Sequence, residues 1–257
     1  MKLENRVSSS KAIFFDLFHT LFSFKSDGTA GRSTSEILGI PEMIWTDLLF
    51  DSSEERMRGR ENDRYAIIRK LAHMYNPSID EDKIRLAADC RFERFSRGLK
   101  EAGGDRIEIL SKLRASGKRI GLISNADSVE VSGWGASPLA QCFDSVIFSF
   151  ATGFVKPEPE IYQIALDSLG VAAEEAIFVG DGGSDELRGA KEVGFTTVMT
   201  TEIISNMWPE KIPDRAKYAD YKISRLADLI RTTDDDVPLQ TFTKPKAWSH
   251  YELRRRR

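Results

Sequence analysis

Cysteine and histidine are scarce in this chain of 257 residues. Cys90 and Cys142 are the only cysteines, far apart and without CxxC spacing, so they read as two reduced, mostly buried thiols. Three histidines (His19, His73, His250) are too scattered for a zinc site. No apolar run approaches the roughly 18 residues of a membrane span. Met1 to Lys11 is polar, which argues against a secretory leader, so the expected location is cytoplasmic with no membrane contact. A dominant charge is lacking too. The formal net charge of -3 gives no global pull towards nucleic acid or anionic lipid. The local exception, Arg254 to Arg257, is a short run and reads as a solvated tail.

What is present is a change of pattern along the chain. Ala12 to Phe15 is a short apolar run, read as a buried strand. From Ser33 to about Lys100 the pattern is helical. "SEILGIPEMIWTDLLF" sets Ile37, Ile40, Ile44 and Leu48 at helical spacing, with a new helix starting at Pro41. "DRYAIIRKLAHMY" and "EDKIRLAADCRFERFSRGL" continue it. After Gly104, helices and strands alternate: "DRIEILSKLRASG", then "RIGLIS", "SVIFSF" (145–150), "PEIYQIALDSLG", "AIFVGD", "SDELRGAKEVG", "FTTVMT" and "YKISRLADLI". Such alternation predicts an α/β fold with a parallel, Rossmann-like sheet. The predicted division is a core of 1–23 and 103–234, a helical insertion of 24–102, and a loosely ordered extension of 235–257. Glycines at Gly28 to Gly31 and Gly98 to Gly104 read as hinges.

In an open parallel sheet, ligands sit beyond the carboxyl ends of the strands. Asp16, Ser124–Asn125, Lys156, Asp181 and Asp185 all follow predicted strands. Taken singly, each is an ordinary turn or helix-cap residue. Taken together, three acids at one rim repel one another unless a cation lies between them, and oxygen-only ligands suit Mg²⁺. Lys156 adds positive charge, Ser124 can donate to phosphoryl oxygens, and Asp16 is free to act as a nucleophile, as carboxylates do in aspartyl-phosphate chemistry.

With these residues in view, the sequence resembles the haloacid dehalogenase superfamily. "FFDLFHTLF" looks like motif I, normally D-x-D-x-T; "LISNA" like motif II; "VKPEPEIY" like motif III; "IFVGDGGSDEL" like motif IV. The resemblance covers about residues 11 to 230, and the helical insertion looks like a C1 cap. It implies Asp16 as nucleophile and metal ligand, and Mg²⁺ held also by the backbone carbonyl of Phe18 and by Asp181, with Asp185 a ligand through water or a residue that orients the ligands. It implies Thr20 and Ser124 at the phosphoryl group, with Asn125 and Phe18 beside the substrate, and Lys156 paired with Asp16. The expected partner is a small phosphorylated or other anionic metabolite.

One position departs from the pattern. Family phosphatases carry a second aspartate where Phe18 stands, the general acid for the leaving alkoxide. Such help is typically worth about 10²–10⁴-fold. Three readings follow. The chain is a phosphohydrolase with substitute acid chemistry, either for leaving groups that need little protonation or with an acid reaching in from the cap; or it resembles the dehalogenases, whose motif I carries an aromatic residue here and whose motif IV lacks the acidic pair; or it binds a phosphorylated ligand or a protein partner and turns over little. His19 is a candidate acid, read mainly as a loop-stabilising residue. Asp127 reads as a cap or turn acid, Trp45 and Trp134 as packing, and Arg56, Arg58 and Arg60 as a solvated helix face. Arg32 is a candidate for a substrate carboxylate.

Overall fold

The structure is a computed structural model that describes residues 1–23 and 32–230. Six parallel strands form one sheet in the order β3-β2-β1-β4-β5-β6. They are β1 (Ala12–Phe15), β2 (Arg119–Ser124), β3 (Ser145–Phe148), β4 (Ala176–Gly180), β5 (Thr196–Thr200) and β6 (Tyr221–Ile223). β1 is wholly buried, as a continuous apolar run covered on both faces requires. Its side chains alternate. Ile13 and Phe15 join one core with Leu110, Leu122 and Val179, while Ala12 and Phe14 join another with Tyr162, Phe178 and Phe195. Each such aromatic or branched side chain contributes roughly 1.5–3 kcal/mol when buried.

Helices α1 (Leu3–Ser9), α7 (Asp105–Ala115), α8 (Ser149–Thr152), α9 (Pro159–Leu169), α10 (Glu186–Val193) and α11 (Ile212–Arg215) surround the sheet. Between β1 and β2 in sequence come α2 (Thr34–Leu38), α3 (Glu42–Asp51), α4 (Ser53–Met57), α5 (Arg64–Tyr75) and α6 (Glu81–Glu101). Pro41 is the N-cap residue of α3, at the start expected for it. These helices bury a third core of their own, with Ile37, Trp45, Ile68, Leu71 and Ile84, closed by Val129 from the sheet side.

Several elements differ from expectation. α1 was not expected: its only buried positions are Leu3 and Val7, too thin a stripe to stand out in a polar stretch. β3 ends at Phe148, because Ser149 turns into α8 and trades hydrogen bonds with the backbone of Ala126. The last helix is a 3₁₀ turn, Leu226–Ile230. Gly98 lies inside α6, so of the expected Gly98 to Gly104 hinge only residues 102–104 fall outside a helix. The Gly28 to Gly31 hinge, the 235–257 extension and the Arg254 to Arg257 run lie outside the described residues.

Candidate active site

The sheet order puts β1 between β2 and β4, so the chain leaves β1 in one direction first and returns on its other side later. At such a reversal a crevice opens at the carboxyl ends of the strands. Phe15 is level with Leu122 on β2 and Val179 on β4. The residues that follow, Asp16, Ser124 and Asp181, therefore emerge at one edge. Asp16 is 5% exposed, and its backbone N–H donates to Val179 O at 2.9 Å.

Lys156 reaches this edge from the loop before α9. Its Nζ donates to Asp16 Oδ1 at 2.6 Å and to Glu186 Oε2 at 2.5 Å, with all three side chains buried. Asn125 fixes the loop: its amide N–H donates to Lys156 O at 2.9 Å, and its Oδ1 accepts from Lys156 N–H at 2.7 Å. Asn125, expected beside the substrate, thus spends its side chain on the Lys156 backbone. Ser124 and Thr20 are fully buried. Among the described residues the Ser124 hydroxyl has no hydrogen-bond partner. The Thr20 hydroxyl lies beside the Asp16 carboxyl, close enough to favour its ionised form but without a well-formed bond. A buried hydroxyl in this state has bonding capacity to offer a water, an ion or a ligand.

The acid that completes the cluster is not the expected one. Asp16, Asp181 and Glu186 are all buried, with carboxylate oxygens within 4.8 Å of one another. Asp185 is exposed, and its side chain pairs with Arg188 at 3.4 Å. The reason is the backbone. Ser184 and Asp185 both take left-handed conformations (φ 53° and 55°), which turns Asp185 outward and starts α10 at Glu186. Glu186 then tucks in over Gly180, where a Cβ would stand 2.1 Å from Glu186 Oε1, and accepts Gly182 N–H at 2.9 Å. A signal was available in the sequence. Helical spacing groups Glu186 with Ala190 and Val193, and Asp185 with Arg188 and Glu192.

The electrostatics follow from crowding. Burial pushes Asp16 above its ordinary pKa; Lys156 pulls it back, and Asp181 pushes it up again. Burial also pushes Glu186 up to about 8, opposed by Lys156 and reinforced by Asp16 and Asp181. Lys156 is raised: burial lowers it, but Asp16 and Glu186 outweigh that. The site therefore gathers three buried carboxyl groups against Lys156, shared by Asp16 and Glu186, and Arg215, paired with Asp181. An oxygen-only, acid-rich donor set of this kind fits a hard divalent cation.

Phe18 is half-buried, its ring 6.3 Å from that of Phe22, and the two residues form a short parallel bridge. His19 has φ +64°, donates its N–H to Phe22 O at 2.6 Å, and sets its ring edge-on to Trp208 at 4.9 Å. It shapes the loop, as expected. The helical insertion overturns another expectation. Arg56 is buried and forms an ion pair with Asp127, which also accepts from Arg91 at 3.4 Å. Arg58 grips Glu158, two residues past Lys156, through both carboxylate oxygens. Only Arg60 is exposed, so the three do not form a solvated face. Asp127 is a turn acid, accepting Val129 and Glu130 N–H groups. Trp45 is buried and Trp134 packs on Phe143 and Phe148. Arg32 is exposed. No described helix is long and apolar enough to cross a membrane.

Comparison with known proteins gives a consistent picture. The family model described as haloacid dehalogenase-like hydrolase matches residues 10–194. The chain is 31% identical over 198 residues to the glyceraldehyde 3-phosphate phosphatase of Pyrococcus abyssi, covering 73% of this chain and 80% of that one. It is 30% identical over 208 residues to (S)-2-haloacid dehalogenase 4A of Burkholderia cepacia, covering 75% and 83%. Among solved structures, the magnesium-bound HAD-hydrolase YfnB of Bacillus subtilis shares the fold, with a TM-score of 0.60 at 19% identity, over 86% of this chain and 96% of that one.

Proposed function

The chain belongs to the haloacid dehalogenase-like hydrolases, and we propose that it is a Mg²⁺-dependent phosphatase of that family, working through an aspartyl intermediate on Asp16. The observation that carries this reading is the buried group Asp16, Asp181 and Glu186 around Lys156. Three buried acids brought together have little use against an uncharged carbon–halogen bond. They suit a cation and a phosphate together. Asp16, Asp181 and the Phe18 carbonyl would hold Mg²⁺, with Glu186 in place of Asp185 as the second acid after β4. When bound, the ion would neutralise the phosphate and the acids around it.

The chain's own residues do the rest. An Asp16 carboxylate oxygen attacks phosphorus, the ester P–O bond breaks, and its electron pair leaves with the alcohol oxygen. Lys156 holds Asp16 in place and offsets phosphate charge. The unpartnered Ser124 hydroxyl and Thr20 donate to phosphoryl oxygens. No carboxyl stands at position 18, so the leaving oxygen takes its proton from water or leaves as a stable anion. Water then cleaves the aspartyl phosphate. Aryl and acyl phosphates are therefore favoured over alkyl esters. The helical insertion α2–α6 serves as the cap that excludes water and selects the substrate. The phosphatase relatives favour a small phosphorylated metabolite.

Phe18 itself favours a second reading, attack of Asp16 on the carbon of a 2-haloacid, in which the departing halide needs no proton. One experiment separates the two. Purified protein is assayed with aryl, acyl and alkyl phosphates with and without Mg²⁺, and with 2-haloacids, using Asp16→Asn as blank. Mg²⁺-dependent turnover of activated phosphates alone supports the phosphatase. Halide release without phosphate release overturns it.

A further inference from the structure

Each clustered carboxylate already has a cation. Lys156 serves Asp16 and Glu186, but Asp181 takes its partner from elsewhere: Arg215 Nη1 donates to Asp181 Oδ2. Arg215 ends α11, in the run of short turns between β5 and β6, and no sequence motif points to it. Three observations show that this guanidinium is seated rather than loose. Its side chain is only 18% exposed. Its Cζ lies 5.6 Å from the Trp208 ring centroid, and that ring meets His19 at 4.9 Å, next to the Asp16 loop. The turn below it is bare. A Cβ on Gly182 would stand 2.8 Å from Arg215 Cβ, and one on Gly183 would stand 3.0 Å from Asp181 Oδ1 and 3.6 Å from Arg215 Nη1. The glycine pair of "GDGGSDE" leaves the space that Arg215 fills.

Resting on the metal-dependent reading above, we propose that Arg215 is a built-in counter-cation, which holds Asp181 in the metal-free protein and is displaced from it when a divalent cation binds. An ammonium or guanidinium and a metal ion cannot both take the same carboxylate lone pairs at close range. Metal affinity is then set by an exchange of cations at Asp181, not by filling of an open site. The exchange keeps a buried carboxylate from being left unpaired, which is costly in a low-dielectric setting. Hydrogen bonds to charged groups are strong enough for the competition to be measurable.

The test uses the full chain, Mg²⁺ alone as the probe, and two variants. Arg215→Gln removes the charge. Arg215→Lys keeps the charge and loses the planar fork. Mg²⁺ affinity is read by calorimetry, and the Arg215 side-chain N–H signals by ¹⁵N spectra, assigned by their loss in Arg215→Lys. The expected result is an affinity about tenfold tighter in Arg215→Gln, equivalent to about 1.4 kcal/mol. Arg215→Lys should lie between it and the wild type, and Mg²⁺ should shift the Arg215 signals in the wild type. Wild-type affinity in both variants, or Mg²⁺ binding that leaves the Arg215 signals in place, overturns the inference while the metal-dependent reading stands. Tighter binding in Arg215→Gln alone, with unmoved signals, is a long-range charge effect and also overturns it. If the wild type and Arg215→Gln both fail to bind Mg²⁺, the metal-dependent reading falls and takes this inference with it.

Discussion

Lys156 Nζ stands 2.6 Å from Asp16 Oδ1, joining residues 140 positions apart in the chain, and neither side chain is open to solvent. The pair does two things. It engages one Asp16 oxygen, and it ties the loop before α9 to the end of β1.

Asp16→Asn should remove turnover by about 10⁴-fold or more, the order expected when a covalent nucleophile is lost. It should leave the fold intact, because Lys156 keeps Glu186. Lys156→Met should instead cost stability, about 3–5 kcal/mol, since it strips the buried cation from the buried Asp16 carboxylate and a hydrogen-bond donor from Glu186. Urea unfolding of both variants checks this. A Lys156→Met protein as stable as wild type would show that Asp16 is already neutral.

At position 18 the expectation is a gain. Phe18→Asp places an acid where the leaving oxygen needs one, and alkyl phosphate turnover should rise by about 10²–10⁴-fold, with aryl phosphate turnover changing far less. The cost is the contact of Phe18 with Phe22, on a half-buried surface. The measurement is the ratio of kcat values for the two ester types. A ratio that does not move would mean that the proton comes from elsewhere, or that the chemistry is not on phosphorus.

Much of this site was legible because strand ends are where a parallel sheet concentrates its polar groups. Asp16 and Asp181 follow, and Ser124 ends, a strand that hydrophobic pattern reveals, and Lys156 comes on the loop that leads on from β3 and α8. Glu186 was passed over for Asp185 because motif spacing says nothing of backbone conformation, and two successive left-handed residues decide which acid turns inward. Arg56 and Arg58 were read as solvated because charge on a short helix normally is. Their partners, Asp127 and Glu158, lie about 70 and 100 positions away, beyond any local pattern. Arg215 was missed for the same reason. α1 was missed because two apolar residues, Leu3 and Val7, make no visible period.

Glu186 gives the site a pH dependence with a definite sign. Its carboxyl is pushed up to about 8 in the folded protein, against an ordinary value of 4.5. The folded state therefore binds the extra proton in between, and this contribution to metal-free stability is complete below 4.5 and lost as pH rises through about 8. A cation favours the ionised form, so Mg²⁺ uptake should expel the proton. The rise in Tm on adding Mg²⁺ should be small near pH 6 and largest above about pH 8. Thermal unfolding across that range checks it, and Glu186→Gln should flatten the profile. A Mg²⁺ effect that is independent of pH would falsify the account.

One buried contact between the helical insertion and the sheet side is Asp127, fully buried between Arg56 and Arg91. Burial alone would raise its pKa, but Arg91 and Arg56 outweigh that and hold it below the ordinary value. Arg91 also reaches Glu130 at 3.0 Å, whose own carboxyl is pushed up by burial and by Asp127. Asp127→Ala leaves two buried guanidinium groups short of an anion and should cost about 3–5 kcal/mol. Arg60→Ala, on the exposed side of the same stretch, should change stability by less than about 0.5 kcal/mol. Because the Asp127 pKa is depressed, its contribution is present above the ordinary aspartate value of 3.8 and lost as pH falls through its lower folded value. Hydrogen exchange in α4 and α6 of an Asp127→Asn variant tells whether the loss is local. Faster exchange there, with β1 and β4 unchanged, means that the insertion opens from the sheet as a unit. Uniform acceleration would mean instead that Asp127 stabilises the whole chain and that the insertion does not move separately.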